Sequence, residues 1–135
     1  MNTDIASLIP HRPPMQWLTA LTACDEKSAS ATACFGENDF PVVGGKVLEV
    51  ALVECVAQTV AAALGSRKQS GGEGKAGLGM LVAVSGFKIF FRPAAGQVLH
   101  IEVRERRRLG PMLMLHADIT CDGQTVAAGD LSVYA

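Results

Sequence analysis

A carboxylate and an amide one helical turn apart are the side chains in this sequence best suited to chemistry. The segment from Val47 to Gly65 reads VLEVALVECVAQTVAAALG and is apolar around nearly its whole circumference, yet it carries Glu54 and Gln58. Residues four positions apart share one face of an α-helix, so these two side chains project together. Enclosing an ionised carboxylate costs on the order of several kcal/mol unless it is paired, solvated by a cleft or protonated. These conditions predict that Glu54 is a general acid.

Both side chains also have a structural interpretation. Glu54 can instead lie at a wet subunit interface or cap backbone donors, because structural networks hold carboxylates as active sites do. Buried amides such as Gln58 most often complete hydrogen-bond networks. The functional hypothesis is favoured for Glu54 because the helix around it is otherwise apolar.

Length and composition favour a single domain spanning residues 1–135. The net charge of −1 and the aromatic content of 5% argue against nucleic-acid binding. Polar residues interrupt the central apolar stretch, which argues against membrane insertion, and the N-terminus lacks the pattern of a secretory signal. The four cysteines form no CxxC pair and the three histidines are isolated, so we expect no metal, no disulfide framework and no cofactor. The expected location is the cytoplasm.

The hydrophobic pattern predicts strands on both sides of the apolar helix. Leu99, Ile101 and Val103 alternate with polar residues, as is typical of a strand with one buried face. Asp122-Gly123 indicates a hairpin turn. An α+β fold follows, with a curved antiparallel sheet wrapped around one central helix. The predicted elements are a helical turn at 5–9, strands Trp17–Cys24 and Ser28–Phe35, a loop at 37–45, a helix from Val47 to about Arg67, a mobile glycine-rich connection at 71–79, and strands Met80–Phe91, Gln97–Leu109, Met112–Cys121 and Thr125–Tyr134.

Four segments, in this order, resemble the hotdog-fold 3-hydroxyacyl-[acyl carrier protein] dehydratases. They are LIPHRPPM at Leu8 to Met15, VECVAQ at Val53 to Gln58, FKIFFRPAAGQVL at Phe87 to Leu99 and DGQTVAAGDL at Asp122 to Leu131. Together they cover nearly the whole chain. The combination of an HRPPM-like start with a Glu and a Gln on the central helix is similar to the dehydratase-like subunit of aryl polyene biosynthesis. The resemblance implies a hotdog fold.

In those dehydratases a His in a Gly-His-Phe-Pro motif removes a proton beside the thioester. A Glu on the central helix of the other protomer assists loss of the hydroxyl as water, and the resemblance assigns this role to Glu54. At the motif this chain reads Asn38-Asp39-Phe40-Pro41, so the imidazole is missing. Asp39 is the candidate catalytic group there, although an Asp is a weaker base than a His at neutral pH. A turn residue is the alternative interpretation of Asp39.

The resemblance also indicates residues that contact the substrate. It implies that Gln58, Phe40 and His11 are substrate-binding residues. Gly44 and Gly45 are expected to present backbone N–H groups to the thioester carbonyl at the start of the helix. Ordinary loop flexibility is the alternative explanation for these two glycines.

The implied partners are an acyl thioester, carried by acyl carrier protein or by coenzyme A, and a second hotdog subunit. The chain is expected to form a homodimer, or a heterodimer with a related hotdog protein that supplies the missing His. The run from Arg104 to Arg108, with Arg67, Lys68 and Arg92, is either a contact for an acidic carrier protein and its phosphopantetheine phosphate or a solvated strand end.

Two rival functions share this fold. In a hotdog acyl thioesterase, the helix carboxylate directs water at the thioester carbonyl and a free thiol is released. In a non-catalytic acyl-binding or scaffold subunit of a heterodimeric dehydratase, the tunnel is kept after the His is lost.

Overall fold

The computed structural model describes residues 5–9, 12, 15–71 and 80–134. It contains one long helix, a large sheet and a short hairpin. In chain order the elements are a 3-10 turn (Ile5–Ser7), β1 (Leu18–Cys24), β2 (Ser28–Cys34), β3 (Val42–Val43), β4 (Lys46–Val47), α1 (Glu49–Gly71), β5 (Met80–Ile89), β6 (Val98–Leu109), β7 (Met112–Cys121) and β8 (Gln124–Tyr134).

The six long strands form one antiparallel sheet in the order β1-β2-β6-β7-β8-β5, with β1 and β5 at its edges. Helix α1 packs against β1, β2 and β6. The predicted α+β hotdog architecture is confirmed: one long helix lies against a large antiparallel sheet. The core lies between the helix and the inner face of the sheet.

The alternation of apolar and polar residues along β6 determines which face of this strand is buried. Leu99, Ile101 and Val103 are at most 2% exposed, while their neighbours on β6 face outward. The Asp122-Gly123 hairpin is also confirmed, with φ angles of 50° and 77°. Positive φ at both central residues is what a two-residue hairpin turn of this kind requires.

The predicted bounds of the helix are corrected at both ends, and most of the predicted strands shift at one end by one or two residues. The helix begins at Glu49 rather than Val47, because Val47 belongs to β4, where it pairs with Val42 and donates its N–H to the Pro93 carbonyl at 2.9 Å. It continues to Gly71 rather than ending near Arg67. The segment predicted as a loop at 37–45 contains β3, which pairs with β4. Residues 72–79 of the predicted glycine-rich connection lie outside the described residues.

The segment Glu49–Arg67 is long and apolar enough to cross a membrane, and 56% of it is buried within the fold. A core helix of an ordinary domain has the same length and composition. Because α1 packs against the sheet, it is a core helix of this kind.

The N-terminal turn lies directly on this helix. Ile5, Leu8 and Ile9 are buried in the same core. A Cβ atom at Gly65 would overlap the carbonyl oxygen of Leu8, so the close approach depends on a residue without a side chain.

Candidate active site

Helix α1 has one face against the sheet and one face open in the single chain. Its packed face includes Leu52, Cys55 and Thr59, all fully buried. Its open face remains apolar, and Val50 on it is 66% exposed. Glu54 lies at the border between the two faces and is partly buried. The apolar circumference of this helix is therefore buried on one side only within the single chain.

Gln58 is fully buried and uses both ends of its amide. Its Oε1 accepts the backbone N–H of Trp17 at 2.9 Å and lies 3.4 Å from the N–H of Leu18. Its Nε2 donates to the Met15 carbonyl at 2.8 Å and to Glu54 Oε2 at 3.2 Å. The amide thus joins the helix to the N-terminal segment Met15–Leu18 and also contacts the candidate acid.

The structure brings Glu54 and Gln58 together as the helical spacing predicts. It gives Gln58 protein partners on every side, and these are the contacts of a residue that completes a network. The backbone groups of Met15, Trp17 and Leu18 were not anticipated as part of this site. They lie 40 or more positions earlier in the chain, and no local pattern marks them.

Asp39 lies in the turn that joins β2 to β3. Its Oδ2 accepts the backbone N–H of Gly36 at 2.8 Å, and its own N–H donates to the Gly36 carbonyl at 3.1 Å. Its carbonyl accepts the N–H of Val42 at 3.0 Å. The contacts are those of the turn interpretation, in which the carboxylate organises its own loop.

Phe40 extends from the same loop towards the N-terminal segment. Its ring centroid is 5.6 Å from that of Trp17, which in turn lies 5.7 Å from Phe35 in an edge-on arrangement. Phe40 is 58% exposed, so much of its ring is available to another molecule. The aromatic contacts connect the loop carrying Asp39 to the strand that Gln58 holds.

Gly44 and Gly45 form the turn of the β3–β4 hairpin, with φ angles of 63° and 77°. They precede the first helical residue, Glu49, and their contact with a thioester carbonyl stays a prediction. Positive φ at both positions explains the two glycines by turn geometry rather than by loop flexibility.

Arg92 holds this hairpin and was missed as a positioning residue. Its Nη2 donates to the carbonyls of Val43 and Lys46 at 2.8 and 2.9 Å, and its Nε donates to the Val47 carbonyl at 3.0 Å. These bonds fix the chain immediately before α1. The guanidinium is therefore engaged within the protein, while its contact with a carrier protein stays a prediction.

His11, a predicted substrate-binding residue, lies outside the described residues.

Burial, with a smaller contribution from the charge of Glu54, raises the pKa of the Cys55 thiol to about 12, so this thiol stays protonated and unreactive at neutral pH. Among the residues that the structure describes, no group of three His, Cys, Asp or Glu side chains is placed to bind a metal ion.

Two cavities lie near these elements. A small apolar crevice between α1 and the sheet is lined by Val53, Val56, Ala57, Val84, Phe87 and Leu131. A larger cavity of about 500 Å³ is lined by Arg106 and Arg107 together with residues of β5, β7 and β8. Of the predicted catalytic and substrate-binding residues that the structure describes, none lines this larger cavity, so it does not identify the candidate active site.

One long helix against a six-stranded antiparallel sheet defines a hotdog protein. The sequence profile of the ApeP-like family, described as ApeP dehydratase, matches residues 3–135. The chain belongs to this family. No curated protein sequence matches it.

Solved structures share the fold at low sequence identity. The dehydratase heterocomplex ApeI:P from Xenorhabdus doucetiae matches with a TM-score of 0.88 and 18% identity, covering 98% of this chain and 90% of that one. The PaaI protein of the E. coli phenylacetic acid degradation operon has a TM-score of 0.69 and 17% identity, with coverages of 85% and 81%. A hypothetical thioesterase with coenzyme A from Streptococcus pneumoniae has a TM-score of 0.68 and 16% identity, with coverages of 84% and 82%.

Proposed function

We propose that this chain is a subunit of a heterodimeric dehydratase that acts on 3-hydroxyacyl thioesters of acyl carrier protein, in the cytoplasm, in fatty acid or polyene-type synthesis. Glu54 is the general acid that assists loss of the 3-hydroxyl as water. The observation that carries the proposal is the position of Glu54: a partly buried carboxylate, held by a buried amide, at the edge of an apolar open helix face.

The open face supports a second hotdog subunit. Val50 on α1 is 66% exposed, and Val84 on the edge strand β5 is 42% exposed. Apolar side chains and an unpaired strand edge are favourable surfaces for another protein chain. A partner seated there would enclose Glu54 in the low-dielectric, water-poor surroundings that suit an acid in an elimination.

The base is assigned to the partner. The carboxylate of Asp39 already accepts the Gly36 N–H within its own loop, and Asp is a weaker base than His at neutral pH. In the proposed heterodimer the partner's Gly-His-Phe-Pro loop faces Glu54, so one composite site is complete. The relative named as a dehydratase heterocomplex is in keeping with such an assembly.

Basic side chains on β6 are the proposed contacts for the phosphopantetheine-bearing carrier. Arg106, Arg107 and Arg108 are exposed, and no ion pair within the described part of the chain involves them. Charge complementarity of this kind speeds association with an acidic protein. Coenzyme A thioesters present similar phosphate chemistry and are the alternative substrates, as the relative with bound coenzyme A suggests.

The test is an assay of the chain alone and after co-expression with the hotdog proteins encoded beside it, using a 3-hydroxyacyl-carrier substrate. The isolated chain should be nearly inactive, and the mixed species should produce the 2-enoyl thioester. Glu54→Gln in this chain should abolish that activity while the complex still forms. Robust dehydration by the isolated chain would refute the heterodimer, and release of free thiol would identify a thioesterase instead. Binding of acyl-carrier without either reaction would identify a non-catalytic subunit.

A further inference from the structure

The cavity of about 500 Å³ lies on the outer face of the sheet, away from helix α1. Its floor includes Met114 of β7 with Asp130 and Ser132 of β8. These residues alternate with buried neighbours that face the core, so they point to the opposite side of the sheet. Ligand pockets usually measure about 300–1,000 Å³, so the cavity has the size of a small-molecule site.

The two sides of the cavity are strands that each contain a bulge. On β6 the pairing with β7 shifts between Glu105 and Arg107, so Arg106 is an extra residue. An extra residue re-aims the side chains beside it, and both arginines line the cavity. On β5 the pairing with β8 shifts after Ser85, where Gly86 has a φ angle of 60°. Bulges bend and twist their strands, which accounts for a cavity on the face of a sheet.

The two guanidinium groups of the cavity have no acidic partner within the described part of the chain. Arg104 differs from them, because it lies on the same strand outside the cavity and its Nη1 is 3.9 Å from Glu102 Oε1. Two neighbouring positive charges repel each other, so an anion between them is favourable. A phosphate group has enough acceptor oxygens to bind both guanidinium groups at once.

Asp130 is the acidic side chain of the cavity. Its Oδ1 lies 2.8 Å from His116 Nδ1, and its Oδ2 has no partner among the described residues. An ionised carboxylate only accepts hydrogen bonds, so Oδ2 repels a bare anion and favours a ligand group that donates, such as a hydroxyl or an amine. The hydroxyls of Ser85 and Ser132 can donate to a phosphate oxygen.

We propose that this cavity binds the phosphate group of a ligand that also carries a hydroxyl or an amine. Arg106 and Arg107 bind the phosphate, and Asp130 accepts the hydrogen bond of the second group. The proposal refines the carrier contact of the proposed function, because it separates these two arginines from Arg108, which is exposed but does not line the cavity. Binding requires no dehydratase activity, so the two proposals fail independently.

Calorimetric titration of the chain with inorganic phosphate and with ribose 5-phosphate tests the site directly. We expect both probes to bind saturably at one site, and ribose 5-phosphate to bind more tightly because it has hydroxyl groups. Arg106→Gln and Arg107→Gln should each weaken binding by about tenfold to a hundredfold, the usual effect of losing a hydrogen bond to a charged group. The proposal is overturned if neither probe binds saturably.

The matched control is Arg108→Gln, which removes the same charge from the neighbouring position. At about 0.15 M salt, charges more than about 8 Å apart are largely screened, so this variant should change the affinity by less than about twofold. If Arg108→Gln weakens binding as much as Arg107→Gln does, the probes respond to net charge only and the cavity is not a built site.

A third variant, Asp130→Ala, tests the second contact. It removes a negative charge and an acceptor, so inorganic phosphate should bind at least as tightly as it does to the wild-type chain. Ribose 5-phosphate should lose its advantage over inorganic phosphate. If that advantage persists, Asp130 does not contact the ligand and the proposed ligand class is wrong.

Competition identifies the source of the phosphate. If the phosphopantetheine arm of a carrier protein supplies it, the holo-carrier should displace ribose 5-phosphate, whereas the apo-carrier, which lacks the arm, should not. If coenzyme A displaces the probe and the holo-carrier does not, the phosphate belongs to a free small molecule. Equal displacement by the apo-carrier and the holo-carrier would show that a protein surface covers the cavity, and would overturn the phosphate site.

Discussion

Two polar networks of this protein differ in how deeply they are buried. Around Gln58, one uncharged amide with no exposed surface connects the helix, the N-terminal segment and Glu54. On the sheet, the ring of His116 lies 2.8 Å from Asp130 Oδ1 and 3.5 Å from Asp118 Oδ2. These three side chains are 25%, 56% and 37% exposed, so water is available to each of them.

The buried amide dictates more structure than the exposed charges. When an exposed partner is removed, water replaces it at little cost in free energy. When a buried partner is removed, its donors and acceptors remain without hydrogen bonds and the folded state is destabilised. The chain therefore specifies the position of its N-terminal segment through Gln58, whereas the sheet surface tolerates change.

The largest expected effect follows from removing the buried amide. Gln58→Leu leaves the N–H of Trp17 and the carbonyl of Met15 without their partner, and each such group costs about 1–3 kcal/mol. We expect a loss of roughly 2–5 kcal/mol in the free energy of unfolding, measured by urea denaturation. Thr59→Val should lose less than about half of that, because the Cys55 carbonyl it releases keeps its place in the helix. If Gln58→Leu and Thr59→Val lose equal free energy of unfolding, the buried amide has no special importance for stability.

Much of the fold could be predicted from the sequence because its signals are local. The alternation in β6, the Asp122-Gly123 turn and the apolar helix each involve residues close together in the chain. The pairing of Glu54 with Gln58 was accessible for the same reason, since one helical turn separates them.

The remaining features of the site could not be predicted because they depend on contacts between distant segments. The partners of Gln58 lie 40 to 43 positions away, and Arg92 reaches carbonyls 45 to 49 positions earlier. The helix start was misplaced because the β3–β4 pairing that claims Val47 is only two residues long in each strand. A short apolar run of this kind does not distinguish a strand from a helix start.

A second variant tests how closely the N-terminal turn must approach the helix. In Gly65→Ala the new Cβ would meet backbone atoms of Leu8, so the turn must shift. We expect a destabilisation of about 1–3 kcal/mol, as for other overpacked sites. Gly36→Ala is the control, because its Cβ would lie 3.8 Å from Asp39 Oδ2 in ordinary contact. If the thermal midpoint of Gly65→Ala equals that of the control, the close approach has no energetic importance.

The exposed network should respond much less. His116→Ala removes both contacts of the imidazole, yet we expect a change of no more than about 1 kcal/mol in the free energy of unfolding. Raising the salt concentration should shrink even this difference, because exposed charges are screened. A loss as large as that of Gln58→Leu, measured in the same urea series, would remove the distinction between the two networks.

The smallest expected effect is confined to acid pH and concerns Asp25, a fully exposed residue in the β1–β2 turn. Hydrogen bonds from the backbone N–H of Lys27 and then of Ser28, with the Ser28 hydroxyl and a small effect of Arg67, lower the pKa of this carboxyl below 3.8. A depressed folded-state pKa contributes stability that is present above the unfolded pKa and is lost as the pH falls through the folded value. The stability difference between the wild-type chain and Asp25→Asn should thus be constant near neutrality and narrow below about pH 4. Urea midpoints across that range measure it, and a difference that widens in acid would show that the turn does not favour the ionised carboxylate.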